Sequence, residues 1–195
     1  MRIEICGGIA SGKTTLSNSL KEYGFAIVNE KLGNTSFLDE FYSNPELFTF
    51  ETEISFLIQH SAEIKKHLDF QDIVCDYSFE QDYAYAINNM NCNELQVFKS
   101  VFDEIKRQLG EPALIIMLEC GTETKQKRIQ SRGRENEQNI ENGYLDNMDV
   151  LLKERIANIN TPTICINTEK YDFRKAEVIK GILFPLIQPY LVNHI

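Results

Sequence analysis

No apolar run in this 195-residue chain approaches the roughly 18 residues that a membrane-spanning helix needs, so a helical membrane protein is not expected. Nothing at the N-terminus reads as a leader peptide. Met1-Arg2-Ile3-Glu4-Ile5-Cys6 starts a strand and runs into Gly7-Gly8, where a signal peptide would continue into a longer apolar segment with a cleavage site. The expectation is a cytoplasmic protein. Positive charge is in short supply: 20 Lys and Arg stand against 29 Asp and Glu, a formal net charge of −9. A nucleic-acid partner is therefore not expected, because such binding rests on basic surface. The cysteines lack the C-x-x-C spacing of a metal site. Cys6, Cys75, Cys120 and Cys165 each fall in or at the end of an apolar run, the pattern of buried free thiols in a reducing compartment. Internal repeats, low-complexity tracts and linkers are also missing, so residues 1–195 are read as one domain, long enough to bury a core.

What the chain does have is alternation. Short β-rich runs at Arg2–Cys6, Ala26–Asn29, Ile73–Asp76, Ala113–Leu118 and Pro162–Asn167 alternate with longer helical patterns. Those patterns cover Lys13–Tyr23, Phe37–Tyr42, Leu47–Leu68, Phe79–Asn88, Glu94–Leu109, Glu123–Ser131, Ile140–Ile159 and Phe173–Leu191. The last contains Pro185 and Pro189 and is expected to be broken there. Strand–helix alternation implies a parallel sheet covered on both faces. Leu114-Ile115-Ile116-Met117-Leu118 is apolar at every position, as a central parallel strand should be. In such sheets ligands sit at the carboxyl ends of the strands.

Immediately after the first strand comes Gly7-Gly8-Ile9-Ala10-Ser11-Gly12-Lys13-Thr14, followed by Thr15 and a helical pattern. The spacing G-x-x-x-x-G-K-[ST], between a strand and a helix, matches a phosphate-binding loop. Glycines let successive backbone N–H groups face the phosphates, and the helix N-terminus adds its positive end. Lys13 is placed to reach the β- and γ-phosphates of ATP or another nucleoside triphosphate, and Thr14 to ligate Mg²⁺. The predicted class is an α/β P-loop NTPase three-layer fold with a five-stranded parallel sheet. Lys125, Lys127, Arg128, Arg132 and Arg134 form a local cationic cluster in an otherwise acidic chain.

Four further segments resemble the deoxyribonucleoside kinases across most of the chain. The first is Glu30 with Asn34, Phe37-Leu38 and Phe41-Tyr42-x-x-Pro45. The resemblance implies that Glu30 is the general base for the substrate 5′-hydroxyl and that Tyr42 bonds the sugar 3′-hydroxyl. The second is Phe50-x-x-Glu53-x-x-Phe56-Leu57-x-x-His60. The family usually has Gln at Glu53, paired to the nucleobase, and often Arg at His60. A carboxylate only accepts hydrogen bonds, so Glu53 is expected to favour guanine, whose edge offers adjacent donors, and His60 to have a packing or surface role. The third is Asp76-Tyr77-Ser78 with Gln81-Asp82. The family reads Asp-Arg-Ser, its Asp near the metal and phosphates. Here Tyr77 lacks the cationic fork, so either another cation compensates, the acceptor differs, or turnover is slow or absent. The fourth is Lys127-Arg128-Ile129-x-x-Arg132-Gly133-Arg134-x-x-Glu137, then Tyr144-Leu145. It is similar to the family's Arg-rich lid, about residues 125–139, which closes over the transferring phosphate, with Glu137 helping to bind the 3′-hydroxyl.

The resemblance thus implies transfer of a phosphoryl group from ATP, with Mg²⁺ at Thr14 and Asp76, to a deoxyribonucleoside. The base site would use Glu53, with Phe50, Phe56 and Phe79 as apolar walls. The donor's base would lie near Thr168–Phe173. A homodimer is expected, through the apolar faces of the helices at Leu47–Leu68 and Phe79–Asn88. Two readings stay open beside it: another P-loop small-molecule or nucleoside-monophosphate kinase, and a nucleotide-binding regulatory module without turnover.

Overall fold

The computed structural model describes residues 1–32, 36–134, 137–138 and 140–191; Asn34 lies outside them. Strands β1 (Arg2–Cys6), β2 (Ala26–Val28), β3 (Ile73–Cys75), β4 (Leu114–Glu119) and β5 (Thr163–Asn167) form a parallel sheet in the order β2-β3-β1-β4-β5. The helices are α1 (Lys13–Leu20), α2 (Leu38–Ser43), α3 (Pro45–Lys65), α4 (Phe79–Asn89), α5 (Cys92–Leu109), α6 (Thr122–Arg132), α7 (Asn142–Ala157), α8 (Ala176–Val178) and α9 (Phe184–Leu191). None of them is long and apolar enough to cross a membrane.

Strand alternation explains why the sheet is covered on both faces. Ile3 and Ile5 of β1, with Leu114, Ile116 and Leu118 of β4, pack against α1 and α9. The intervening Ile115 and Met117 point the other way, onto Met148 and Leu152 of α7. A third cluster joins β2 and β3 to α3 and α5 through Val28, Ile73, Leu57, Ile64, Phe98 and Phe102. Two buried acids fasten α4 in place. Glu4, inside β1, accepts the Phe79 N–H at 3.2 Å and Arg2 Nε at 2.9 Å. Glu80 pairs with Lys106 of α5 at 2.9 Å and Arg155 of α7 at 2.6 Å. Ser78 caps the helix by accepting Gln81 N–H at 3.1 Å.

Two expectations need correction. The C-terminal helix does not break at its prolines. A π turn at Ile179–Leu183 runs directly into α9, so the helical run is continuous but widened just before Pro185, whose missing N–H interrupts the regular hydrogen-bond ladder there, and Pro189 lies inside α9. Cys6, Cys75 and Cys120 are buried, but Cys165 is exposed, because β5 is an edge strand paired only with β4.

Candidate active site

The phosphate loop leaves β1 and is held in shape by contacts from three directions. At Gly7, φ is +150°, and a Cβ there would lie 2.6 Å from Ser11 Oγ and 2.7 Å from the Leu118 carbonyl; only glycine fits. The Gly7 N–H donates to Gln81 Oε1 of α4 at 3.1 Å. Lys13 Nζ donates to the Gly7 and Gly8 carbonyls at 2.8 and 3.4 Å, curling the loop over its own side chain. From outside, the guanidinium of Arg128 on α6 donates to Ala10 O at 3.1 Å and Ser11 O at 3.2 Å. The same group reaches Thr168 Oγ1 at 3.0 Å and Thr168 O at 3.1 Å. Arg128 therefore ties the phosphate loop to the segment after β5.

One cavity of about 1470 Å³ opens over this loop. Its floor includes Ile9, Ala10, Ser11, Gly12, Lys13, Thr14 and Thr15. Glu30, Tyr42, Glu53, Phe56, Asp82, Tyr85 and Tyr144 line the side toward α2, α3, α4 and α7. Arg128, Arg132, Arg134 and Glu137 close another edge, and Thr168–Lys175 a third. Sequence positions far apart thus meet in one space: the loop, Glu30, Tyr42, Glu53, the three arginines and Glu137.

At the end of β3, Asp76 Oδ2 accepts the Thr14 hydroxyl at 2.9 Å, and its other oxygen accepts the Glu30 N–H. Burial pushes the Asp76 carboxyl up, against the Glu30 N–H and Thr14. Two oxygen donors side by side, next to a phosphate loop, suit a hard cation such as Mg²⁺, which takes few protein ligands and fills its shell with phosphates and water. Lys13 is pushed down by burial, with Glu30 and Asp76 pushing back. Burial alone would raise Glu30, but His60, Lys13 and Arg134 outweigh it and hold the carboxyl below its ordinary value.

Glu53 is 6 % exposed. Its Oε1 accepts Asn89 Nδ2 at 2.7 Å; Asn88 Nδ2 donates to Asn89 Oδ1 at 2.7 Å, and Asn147 Nδ2 to Asn88 Oδ1 at 2.6 Å. This amide chain orients a single donor, Asn89 Nδ2, at one carboxyl oxygen. Burial pushes Glu53 up to about 8, with Asn89 opposing and Asp82 reinforcing. Burial thus favours the protonated carboxyl, which can donate as well as accept, over the acceptor-only carboxylate that the sequence suggested.

Other expectations change too. Phe50 is not in the cavity; it packs on the α3/α5 core, as Phe79 does, while Phe56 lines the cavity. Of the cationic cluster, Lys125 is 1 % exposed and paired with Asp149. It packs against Gly8, where a Cβ would approach its Nζ to 2.9 Å. Lys127 is exposed and pairs with Glu123. Arg132 and Arg134 both pair with Glu137, the latter at 3.1 Å. Tyr77 does not face the cavity: it is fully buried and its ring stacks on His60, centroids 3.8 Å apart. His60 is neither surface nor mere packing, since it lies between Glu30 and Asp82. Sequence reasoning gave Gln81 no role and named Thr168 only as the start of the segment near the donor's base; both bond backbone groups of the phosphate loop, which leave no residue pattern to read.

A phosphate loop on a parallel sheet, with an acid and arginines across one cavity, defines a nucleotide-dependent phosphotransferase of the P-loop class. A family profile described as deoxynucleoside kinase matches residues 3–186. The chain is 30 % identical over 152 residues to the deoxyguanosine kinase of Bacillus subtilis (strain 168), covering 75 % of this chain and 73 % of that one. It is 26 % identical over 186 residues to the deoxyadenosine/deoxycytidine kinase of the same organism, covering 90 % and 86 %. The structure of deoxyadenosine kinase from M. mycoides with bound dCTP superposes with a TM-score of 0.80 at 22 % identity, covering 95 % of this chain and all of that one. The chain belongs to the deoxynucleoside kinase family.

Proposed function

We propose that this enzyme transfers the γ-phosphate of ATP to the 5′-hydroxyl of a purine deoxyribonucleoside. The observation that carries the reading is the single cavity in which the phosphate loop faces Glu30, Tyr42 and Glu53. The loop amides and Lys13 hold the donor phosphates. Glu30 takes the proton from the attacking hydroxyl, a task for which one carboxylate suffices because phosphoryl transfer is mostly positioning and charge stabilisation. Tyr42 and Glu137 grip the 3′-hydroxyl. Arg128 fixes the loop, and Arg132 and Arg134 close over the transferring group as a lid. Mg²⁺ at Thr14 and Asp76 would neutralise charge on the β- and γ-phosphate oxygens. Phe56, Tyr85 and Tyr144 flank the base near Glu53, and Thr168–Phe173 face the donor's base. One similar enzyme is named for deoxyguanosine and another for deoxyadenosine and deoxycytidine; a purine is the substrate class common to both names, which supports this choice.

The test is ADP release from ATP and Mg²⁺ with the four deoxynucleosides, their monophosphates and the ribonucleosides. Turnover on a purine deoxynucleoside is expected. Turnover confined to monophosphates would make it a monophosphate kinase, and ATP binding without transfer would make it a regulatory module.

Glu53 predicts a pH-dependent choice of base. As an acid it presents one donor and one acceptor, matching the mixed edge of adenine; as a carboxylate it matches the two adjacent donors of guanine. The ratio of kcat/KM for deoxyguanosine over deoxyadenosine should rise several-fold as pH passes about 8, and Glu53→Gln should abolish that rise. A ratio flat with pH in the parent enzyme would remove Glu53 from base selection.

A further inference from the structure

Two carboxylates on different walls of the cavity, Glu30 after β2 and Asp82 on α4, converge on one imidazole that is not itself part of the wall. His60 is 1 % exposed. Its Nδ1 lies 2.8 Å from Asp82 Oδ2, and its Nε2 points at Glu30 Oε1 across 3.6 Å. Nε2 is buried and has no hydrogen-bond partner among the described residues. One face of the ring lies on Tyr77 with planes 8° apart, and the Tyr77 hydroxyl donates to the His60 carbonyl at 3.1 Å. Asp82, Tyr77 and the helix backbone leave the ring no freedom to turn away from Glu30.

Two acids facing two ring nitrogens have a chemical consequence. A neutral imidazole carries one N–H, so it would set a lone pair against one of the carboxylates; only the imidazolium offers a donor to each. Burial alone would push the His60 pKa down, but Asp82 and Glu30 hold it up to about 10. A buried cation is tolerable only when paired, and this one has a counter-charge on either side.

We propose that His60 is the positioning residue for Glu30: its imidazolium, anchored by Asp82 and clamped on Tyr77, holds the Glu30 carboxylate from behind and aims it at the substrate hydroxyl. Lys13 approaches the same carboxylate from the phosphate side. Glu30 is thus held between a cation in the phosphate loop, which meets the donor, and one behind the cavity wall. The inference rests on the reading that Glu30 accepts the proton.

A double-mutant cycle tests it, with kcat, the nucleoside KM and ATP affinity measured for the full chain. His60→Gln should lower kcat by about 10–100-fold, the scale on which metal sites respond to loss of an outer partner that orients a ligand. KM and ATP affinity should stay within about threefold. In a Glu30→Gln background the same change should cost nothing further, because the group it positions is already gone; a purely structural role would cost the same in both backgrounds. Full turnover in Glu30→Gln alone would overturn the general-base reading and this inference with it. Loss in Glu30→Gln with no loss in His60→Gln, or a His60→Gln loss that persists without Glu30, would overturn only the role of His60. If His60→Gln does not fold, as judged by thermal melting, Asp82→Asn takes its place in the cycle. It keeps the imidazole and removes its anchor, so its loss in kcat should likewise vanish without Glu30, and an additive loss would overturn the proposal.

Discussion

Glu30→Gln should cut phosphoryl transfer by about 10²–10⁴-fold, the usual worth of a positioned general base, while leaving ATP affinity nearly unchanged. The substitution is close to isosteric. The amide keeps an oxygen opposite His60 Nε2, and the backbone N–H that reaches Asp76 is untouched. What goes is the ability to accept a proton. The environment shows why the carboxylate is suited to the task. Burial would raise its pKa, but His60, Lys13 and Arg134 outweigh burial and keep the group ionised at neutral pH, ready to take a proton. Its affinity for the proton is also kept low, so the expected loss belongs in the middle of that range. Steady-state kcat at saturating ATP and deoxynucleoside, with ATP affinity measured separately, checks the split. A kcat within about threefold of the parent would show that the hydroxyl loses its proton elsewhere.

The readable parts of the site were those written in consecutive residues. The phosphate loop is a local pattern because its curl needs glycine at set positions and a lysine at the helix start; Gly7 shows the requirement directly, with no room for a Cβ. Strand positions were also readable, since burial on both faces makes Leu114–Glu119 apolar almost throughout. What stayed hidden was phase and pairing. On α3, Phe50, Ile54, Leu57 and Ile64 share one stripe and pack on the core. Thr49, Glu53 and Phe56 share another and line the cavity. Phe50 and Phe56 stand six positions apart, about 240° around the helix at 3.6 residues per turn, so they cannot both face the base. A resemblance marks the helix without fixing which stripe turns inward.

Charge misled for a related reason. Lys125, Lys127, Arg128, Arg132 and Arg134 read as one basic cluster, yet α6 turns the first three in different directions and Arg134 lies beyond its C-terminal end. Lys125 is buried on Asp149, Lys127 is out in solvent, and Arg128 is turned to backbone carbonyls of the phosphate loop. Tyr77 read as a lost cation. Its ring is the stacking surface for His60, 17 residues earlier in the chain, which lies between the acids Glu30 and Asp82. Such pairing between distant positions has no local signature.

Lys13→Ala should be the other severe substitution, lowering kcat at saturating ATP by about 10²–10³-fold, the scale for losing one preorganised donor to developing charge. Two effects add. Lys13 Nζ donates to the Gly7 and Gly8 carbonyls, so its removal takes away an internal brace of the loop. It is also a cation felt by two carboxylates, since Glu30 and Asp76 both push its pKa up. Without it, two carboxylates face an incoming triphosphate with one positive charge fewer between them. Lys13→Arg should not restore turnover, because a planar guanidinium cannot place a compact point charge over two carbonyls and a phosphate in the same space. The comparison with Glu30→Gln separates the two roles. Lys13→Ala should weaken ATP binding as well as transfer, whereas Glu30→Gln should affect transfer alone. Transfer retained within about threefold in Lys13→Ala at saturating ATP would confine the lysine to holding the donor and leave the transition-state charge to Arg132 and Arg134.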